Sequence, residues 1–171
     1  MRALVVYESI FGNTERIATA VASGLAEGLD VCLAEASDAP DRLDDVDLVL
    51  VGGPTHAFSM SRGDSRKNAA KKADDEPISL TAGIRDWLKR VDRNGRPIAA
   101  VAFDTRFKMS RKLTGSAARA AEKRLRKRGF EVTVPAESFF IEGERGPLHA
   151  GEADRAHRWA ASLSNHLVAT G

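Results

Sequence analysis

The chain has 171 residues, of which 43% are hydrophobic and 29% charged, with a net charge of +2. This ordinary composition predicts one folded, soluble domain over residues 1–171 and excludes a fibrous or wholly disordered chain. Its apolar runs are far shorter than the ~20 residues of a membrane span, and a single cysteine cannot form an internal disulfide. We therefore expect a cytoplasmic protein, with Cys32 buried in a strand.

Apolar runs and helical spacing alternate along the first half of the chain. Ala3 to Tyr7 is a continuous apolar run, typical of a parallel strand that is buried on both faces. After Glu8 to Asn13, apolar residues at helical spacing predict a helix that ends near Gly28. Val31 to Ala34 and Asp47 to Val51 predict the second and third strands.

The alternation continues in the second half. Thr81 is expected to cap a helix from Ala82 to Val91. Ile98 to Phe103 predicts the fourth strand. Ser116 to Arg128 predicts the next helix, and Phe130 to Val134 the fifth strand.

Three further segments complete the prediction. Ser138 to Ile141 extends the sheet, Glu152 to Leu167 forms a final helix, and the polar segment Ser61 to Glu76 is an insertion that is partly helical or mobile. Five strands that alternate with helices predict a doubly wound parallel α/β sheet. Ligands of such sheets bind at the carboxyl ends of the strands.

The turn between the first strand and the first helix carries the strongest functional signal. Its residues are Ser9, Ile10, Phe11, Gly12, Asn13 and Thr14. Converging backbone N–H groups, the helix dipole and the hydroxyls of Ser9 and Thr14 favour a bound phosphate. The turn has neither the lysine of a P-loop nor the glycine pattern of a dinucleotide-binding loop. A plain helix cap at Asn13 or Thr14 is the alternative, and the turn alone does not decide between the two.

The segment Tyr7 to Glu15 resembles the FMN-phosphate loop of the flavodoxin family. Ser9, Gly12 and Thr14 match that loop, whereas Phe11 stands in place of one hydroxyl residue and cannot donate a hydrogen bond. The resemblance covers most of the chain. It implies FMN as the cofactor and a flavodoxin-like five-stranded parallel sheet with strand order 2-1-3-4-5.

Two more segments enter the predicted site through the resemblance. The family's loop along the isoalloxazine ring corresponds to Pro54, Thr55, His56, Ala57 and Phe58, and an aromatic ring from His56 or Phe58 would stack on the flavin. The loop at the polar flavin edge corresponds to Asp104, Thr105, Arg106 and Phe107, and its positive charge departs from the family's acidic pattern. Local roles remain as alternatives: a backbone-bonded His56, a core Phe58, or an Asp104 that caps the turn and pairs with Arg106.

Charge is distributed unevenly along the chain. Residues 1–60 hold three basic and ten acidic residues, whereas residues 61–171 hold twenty-three basic and fourteen acidic ones. The basic run from Arg119 to Arg128 raises nucleic-acid binding as an alternative. The run has no interleaved aromatic residues, and cations near a helix C-terminus also complement the helix dipole, so we disfavour this alternative.

The resemblance implies a protein that transfers electrons between a reductase and an acceptor, with FMN supplying the chemistry and no catalytic side chain or metal. An NAD(P)H-dependent quinone reductase on the same fold is the second hypothesis, and a non-flavin binding module with a basic helix is the third. The redox partner is expected to present an acidic surface. The cations behind this expectation are Arg106, Lys108, Arg111 and Lys112.

Overall fold

A computed structural model describes residues 1–56, 59–71, 81–109, 115–132, 134–143 and 145–170, with the backbone alone for residues 56, 69–70 and 166–170. Within these residues the chain alternates between strands and helices. The strands are β1 Arg2–Tyr7, β2 Asp30–Glu35, β3 Leu48–His56, β4 Ser59–Met60, β5 Ala99–Phe107 and β6 Glu137–Ile141. The helices are α1 Asn13–Leu25, α2 Gly63–Ala70, α3 Ile84–Arg90, α4 Ala117–Lys127 and α5 Glu152–Thr170.

The strands form a parallel sheet in the order β2-β1-β3-β5-β6. The short strand β4 lies off this path and pairs antiparallel with the end of β3. The predicted doubly wound sheet and its strand order are therefore confirmed, because β5 and β6 are the fourth and fifth parallel strands. None of the described helices is long and apolar enough to cross a membrane.

Two apolar cores lie on opposite faces of the sheet. Side chains of β1 alternate between them: Leu4 and Val6 pack with α3 and α4, whereas Ala3 and Val5 pack with α1 and α5. On the second face, α1 and α5 approach so closely that a Cβ atom at Gly24 would lie 2.2 Å from the His157 carbonyl oxygen. Burial of the sheet on both faces explains why its inner strands read as continuous apolar runs.

The two central strands extend beyond their predicted ends. Gly53 and Pro54 of β3 pair with Asp104 and Thr105 of β5, so segments that were predicted as loops belong to strands. Each central strand has a neighbour on both sides, and the hydrogen-bonded ladder continues past the last apolar residue. The predicted site residues 54–56 and 104–107 are thus backbone-anchored.

The predicted fifth strand is wrong. Glu131 forms only an isolated bridge to Ala99, and the edge strand beside β5 is β6. Phe130 and Val132 are buried in the core beneath α3 and α4. Phe130 and Val132 are apolar because they are buried in a loop, which sequence periodicity alone does not distinguish from a short strand.

Two local predictions are also corrected. Gly83, not Thr81, is the N-cap of α3, and its N–H donates to Asp86 at 3.2 Å. Cys32 is exposed because it lies on β2, the edge strand of the sheet. The predicted insertion contains α2, and its remainder beyond Lys71 lies outside the described residues.

Candidate functional site

Three helices begin at the carboxyl edge of the sheet. Helix α1 follows β1 directly, the first N–H of α4 donates to the Thr55 hydroxyl at the end of β3, and the first N–H of α3 donates to Glu8 beyond β1. Each helix therefore presents its positive dipole end and its first N–H groups to the same edge. The three helices differ in which group accepts hydrogen bonds from their first N–H groups.

The N-terminus of α4 is satisfied by Asp104. This side chain is fully buried, and its Oδ2 accepts hydrogen bonds from the Ala118 N–H at 3.0 Å, the Ser116 hydroxyl at 2.6 Å and the Thr55 hydroxyl at 3.0 Å. Ser116 is the N-cap and accepts from the Arg119 N–H at 3.2 Å. A carboxylate of the protein itself thus occupies the anion position of this helix.

The N-terminus of α3 is satisfied by Glu8. Its Oε2 accepts from the Ile84 N–H at 3.0 Å, and its Oε1 accepts from the Ser61 hydroxyl. Arg66 donates to Ser61 at 3.0 Å and to Asp86 at 2.8 Å. Burial raises the pKa of Glu8, although Ser61, Ile84 and Arg66 act in the opposite direction. Through Arg66, this buried network also connects α2 to the carboxyl edge of the sheet.

The N-terminus of α1 has no such occupant among the described residues. Its N-cap is Gly12, which has φ +82° and no side chain to accept a hydrogen bond. The alternative of a helix cap at Asn13 or Thr14 is wrong. The Asn13 amide donates to the Arg145 carbonyl at 2.9 Å, and the Thr14 hydroxyl shares a hydrogen bond of 2.7 Å with the Thr105 hydroxyl. The first N–H groups of α1 are left for an external acceptor.

A small pocket of about 60 Å³ opens at this helix N-terminus. It is lined by all three predicted segments and by one residue of β6. The lining residues are Ser9, Ile10, Phe11, Asn13, Thr14, Pro54, Thr55, Thr105, Arg106, Phe107 and Ile141. In this described lining Arg106 is the one charged side chain, so the pocket carries positive charge and hydroxyl groups.

Arg106 is held in place within the protein. Its side chain is 6% exposed, donates to the Ser138 hydroxyl at 3.1 Å and to the Met109 carbonyl at 2.8 Å, and lies 5.4 Å from the centroid of the Phe140 ring. The expectation that Arg106 faces a partner protein is therefore wrong, because the guanidinium is buried. Arg106 nevertheless contributes to the lining of the pocket.

Several predicted site residues do not line the pocket or lie outside the described residues. Asp104 binds α4, on the face of the sheet opposite to α1. The side chain of His56, all of Ala57 and Phe58, and the predicted partner contacts Arg111 and Lys112 lie outside the described residues.

Sequence reasoning missed Arg145 and Ile141, which come from β6 and the connection to α5. Ligands of such sheets bind at the carboxyl ends of the strands. Because the sequence pattern places the fifth strand at Phe130 to Val134, before β6, it does not point to the residues that follow β6.

The pocket suits a phosphate group. The uncapped N–H groups of α1 and the hydroxyls that line the pocket are donors of the kind that recognise phosphate. Drug-sized ligands occupy about 300–1,000 Å³, so a pocket of about 60 Å³ accommodates only a small group. The rest of a larger ligand would lie at the mouth, where Phe107 is 38% exposed.

Comparison with known proteins identifies the same architecture. The sequence model of the Flavodoxin family matches residues 5–161. Among solved structures, a flavodoxin from the domain Archaea matches with a TM-score of 0.67 and 18% identity, covering 98% of this chain and 99% of that one. Flavodoxin 1 from Bacillus cereus matches with a TM-score of 0.66 and 17% identity, covering 97% and 99%.

A larger protein contains the same fold as one part. The flavodiiron protein from Giardia intestinalis matches with a TM-score of 0.60 and 18% identity, covering 98% of this chain but 36% of that one. Among curated proteins, none matches this sequence. At these identities the structural matches show the fold, and the family follows from the match over residues 5–161.

Proposed function

The chain belongs to the flavodoxin family, whose cofactor is FMN, and we propose that it carries electrons between a reductase and an acceptor protein. When bound, FMN supplies the one- and two-electron chemistry. The role of the protein is to bind and orient the cofactor and to leave the reactive edge of the flavin accessible. The geometry of the α1 N-terminus supports each of these roles.

The observation that carries the proposal is the contrast among the three helix N-termini. Asp104 and Glu8 occupy those of α4 and α3, whereas no described side chain caps α1. A helix N-terminus that lines a neutral-to-positive pocket is a site for an external anion. We assign that position to the FMN phosphate.

The proposed phosphate ligands come from two elements. The N–H groups of Asn13 and Thr14 and the hydroxyl of Ser9 belong to the turn and to α1. The hydroxyls of Thr14 and Thr105 share one hydrogen bond, so together they offer one further O–H donor. Hydrogen bonds to a charged group contribute about 1.5–3 kcal/mol each. Such a set compensates for Phe11, which stands where the family's loop has a hydroxyl.

The flavin ring is proposed to lie at the mouth of the pocket, against Phe107 and Pro54. Phe107 is exposed and lines the pocket, and an aromatic face against a flavin contributes about 1 kcal/mol beyond area burial. His56 and Phe58 remain predicted ring contacts. A ring outside so small a pocket keeps an exposed edge, which supports direct electron transfer to a partner.

The test uses the full chain loaded with FMN. We expect a flavin absorbance spectrum, release of FMN on denaturation, and electron flow from NADPH to cytochrome c only when a flavodoxin reductase is added. Rapid oxidation of NADPH by the chain alone, with a quinone as acceptor, would support the quinone-reductase hypothesis instead. Absence of flavin binding would reject both.

A further inference from the structure

A second concave surface, separate from the pocket, lies between α3 and α4. This basic groove has a volume of about 530 Å³. Six of the residues that line it are cationic: Arg85, Lys89, Lys123, Arg124, Lys127 and Arg128. In the described part of its wall there is no carboxylate. The groove concentrates much of the positive charge of the second half of the chain.

Several of these cations have no counter-ion in the described part of the chain. No ion pair is formed there by Lys123, Arg124 or Lys127, although Lys89 lies 3.4 Å from Asp86. Burial, followed by the charges of Arg124 and Arg62, lowers the pKa of Arg85. Like charges are therefore crowded along the groove, and an anionic occupant would relieve their repulsion.

The cations of the groove form two rows, one on each helix. Arg85 and Lys89 are one turn apart on α3, and Lys123 and Lys127 are one turn apart on α4. Ser59, Met60, Leu88 and Ala120 complete the described lining, and Met60 and Leu88 are buried. A compact phosphate would need donors that converge on one point, whereas parallel rows suit an extended, multiply charged chain.

We propose that the basic groove is a docking site for an acidic polypeptide segment of a partner protein. Carboxylates of that segment would pair with the cations of the two rows. Nucleic acid is disfavoured because single strands are bound by stacking on aromatic side chains, and the described wall of the groove has none. The opposite charges would also steer the association.

The groove ends beside the pocket. Met60 lines the groove and pairs in register with Thr55, which lines the pocket. A partner held in the groove would therefore lie next to the mouth where the flavin is proposed. The redox nature of this partner rests on the proposed function, whereas binding of an acidic segment does not depend on FMN.

The test measures binding of a short, fluorescently labelled peptide of alternating Glu and Leu to the full chain. The groove variant is Lys123→Gln/Lys127→Gln, and the matched control is Arg119→Gln/Arg126→Gln, which removes the same charge from the same helix outside the groove. We expect the groove variant to lose affinity about tenfold and the control to lose less than about threefold. Added salt should weaken binding to the unmodified chain.

Three results would overturn the proposal. They are no peptide binding at low salt, equal losses in the two variants, and tighter groove-dependent binding of a single-stranded oligonucleotide or of inorganic tripolyphosphate. Flavin absorbance is recorded for every variant, so that failure of FMN binding is distinguished from failure of the groove.

Discussion

The N-termini of α1 and α4 lie at the same edge of the sheet but are satisfied in opposite ways. Helix α4 begins at the N-cap Ser116 and directs its Ala118 N–H to the buried carboxylate of Asp104, 3.0 Å away. Helix α1 begins at Gly12, which offers no side-chain acceptor, and opens into a pocket. The same backbone feature is thus structural where the protein supplies its own anion, and available to a ligand where it does not.

Helix α3 belongs with α4 in this comparison. The carboxylate of Glu8 accepts from the Ile84 N–H at 3.0 Å and from the Ser61 hydroxyl, which in turn accepts from Arg66 of α2. Glu8 and the α1 turn are adjacent in the chain, yet they serve different helices. If this division is correct, variants at α4 and α3 should alter folding, and variants at α1 should alter FMN affinity.

The largest effect is expected for Asp104→Ala. The substitution leaves the Ala118 N–H and the hydroxyls of Ser116 and Thr55 without their acceptor in a buried site, which should lower the free energy of unfolding by about 3 kcal/mol. Urea denaturation followed by circular dichroism measures it. Asp104→Asn, which retains an acceptor, should lose less. A loss below about 1 kcal/mol in the alanine variant would contradict the assigned role.

Thr14→Val tests the opposite half of the comparison. Removing one hydroxyl from the proposed phosphate site should weaken FMN binding about tenfold, or about 1.4 kcal/mol, because the hydrogen bond to phosphate is charge-assisted. Thr19→Val, on an exposed position of the same helix, is the control and should bind FMN normally. Fluorescence titration of FMN gives both affinities. Equal affinities in the two variants would place the phosphate elsewhere.

Arg106→Gln addresses the one charge in the described lining of the pocket. A fixed positive charge near the cofactor favours its reduced, more negative form by about 1–2 kcal/mol at an effective dielectric constant of about 20. The reduction potential of bound FMN should therefore fall by tens of millivolts in the variant. Spectroelectrochemical titration measures this change, and Lys108→Gln, which alters an exposed cation, is the control. Identical potentials in Arg106→Gln and the unmodified protein would remove Arg106 from the electrostatics of the site.

The smallest effect is expected in the pH dependence of stability. The folded-state pKa of Glu8 lies above its ordinary value of 4.5 because the side chain is buried. Its contribution to stability is therefore complete below about pH 4.5 and is lost as the pH rises through the folded-state pKa, where a charged carboxylate must remain buried.

Glu8→Gln should remove this loss, so the stability of the variant relative to the unmodified protein should increase from about pH 4.5 upward. Urea denaturation at several pH values provides the measurement. Ser37→Ala, at an exposed position remote from the network, serves as the control. Parallel pH profiles for the unmodified protein and Glu8→Gln would show that the carboxyl group does not titrate differently on folding.

The parallel sheet and the edge that carries the candidate site could be predicted from local patterns in the sequence. Burial on both faces requires continuous apolar runs such as Ala3 to Tyr7, and alternation with helices then implies parallel strands whose carboxyl ends meet at one edge. Ser9 to Thr14 stands at that edge, and its residue types favour phosphate. These features are local in the chain, so they could be predicted without knowledge of distant contacts.

Tertiary structure alone decided which groups face the pocket and which satisfy the fold. Asp104 was a predicted ligand and Glu8 stands beside one in the sequence, but their carboxylates accept hydrogen bonds from Ala118 and Ile84 and serve the fold as internal anions. Likewise, Phe130 to Val134 has the pattern of a strand, whereas β6 pairs with β5. Sequence patterns report burial and local conformation. Hydrogen-bond partners and the charges around a site depend on residues that are distant in the chain. Glu8 and Ile84, for example, are 76 positions apart and meet only when the sheet is complete.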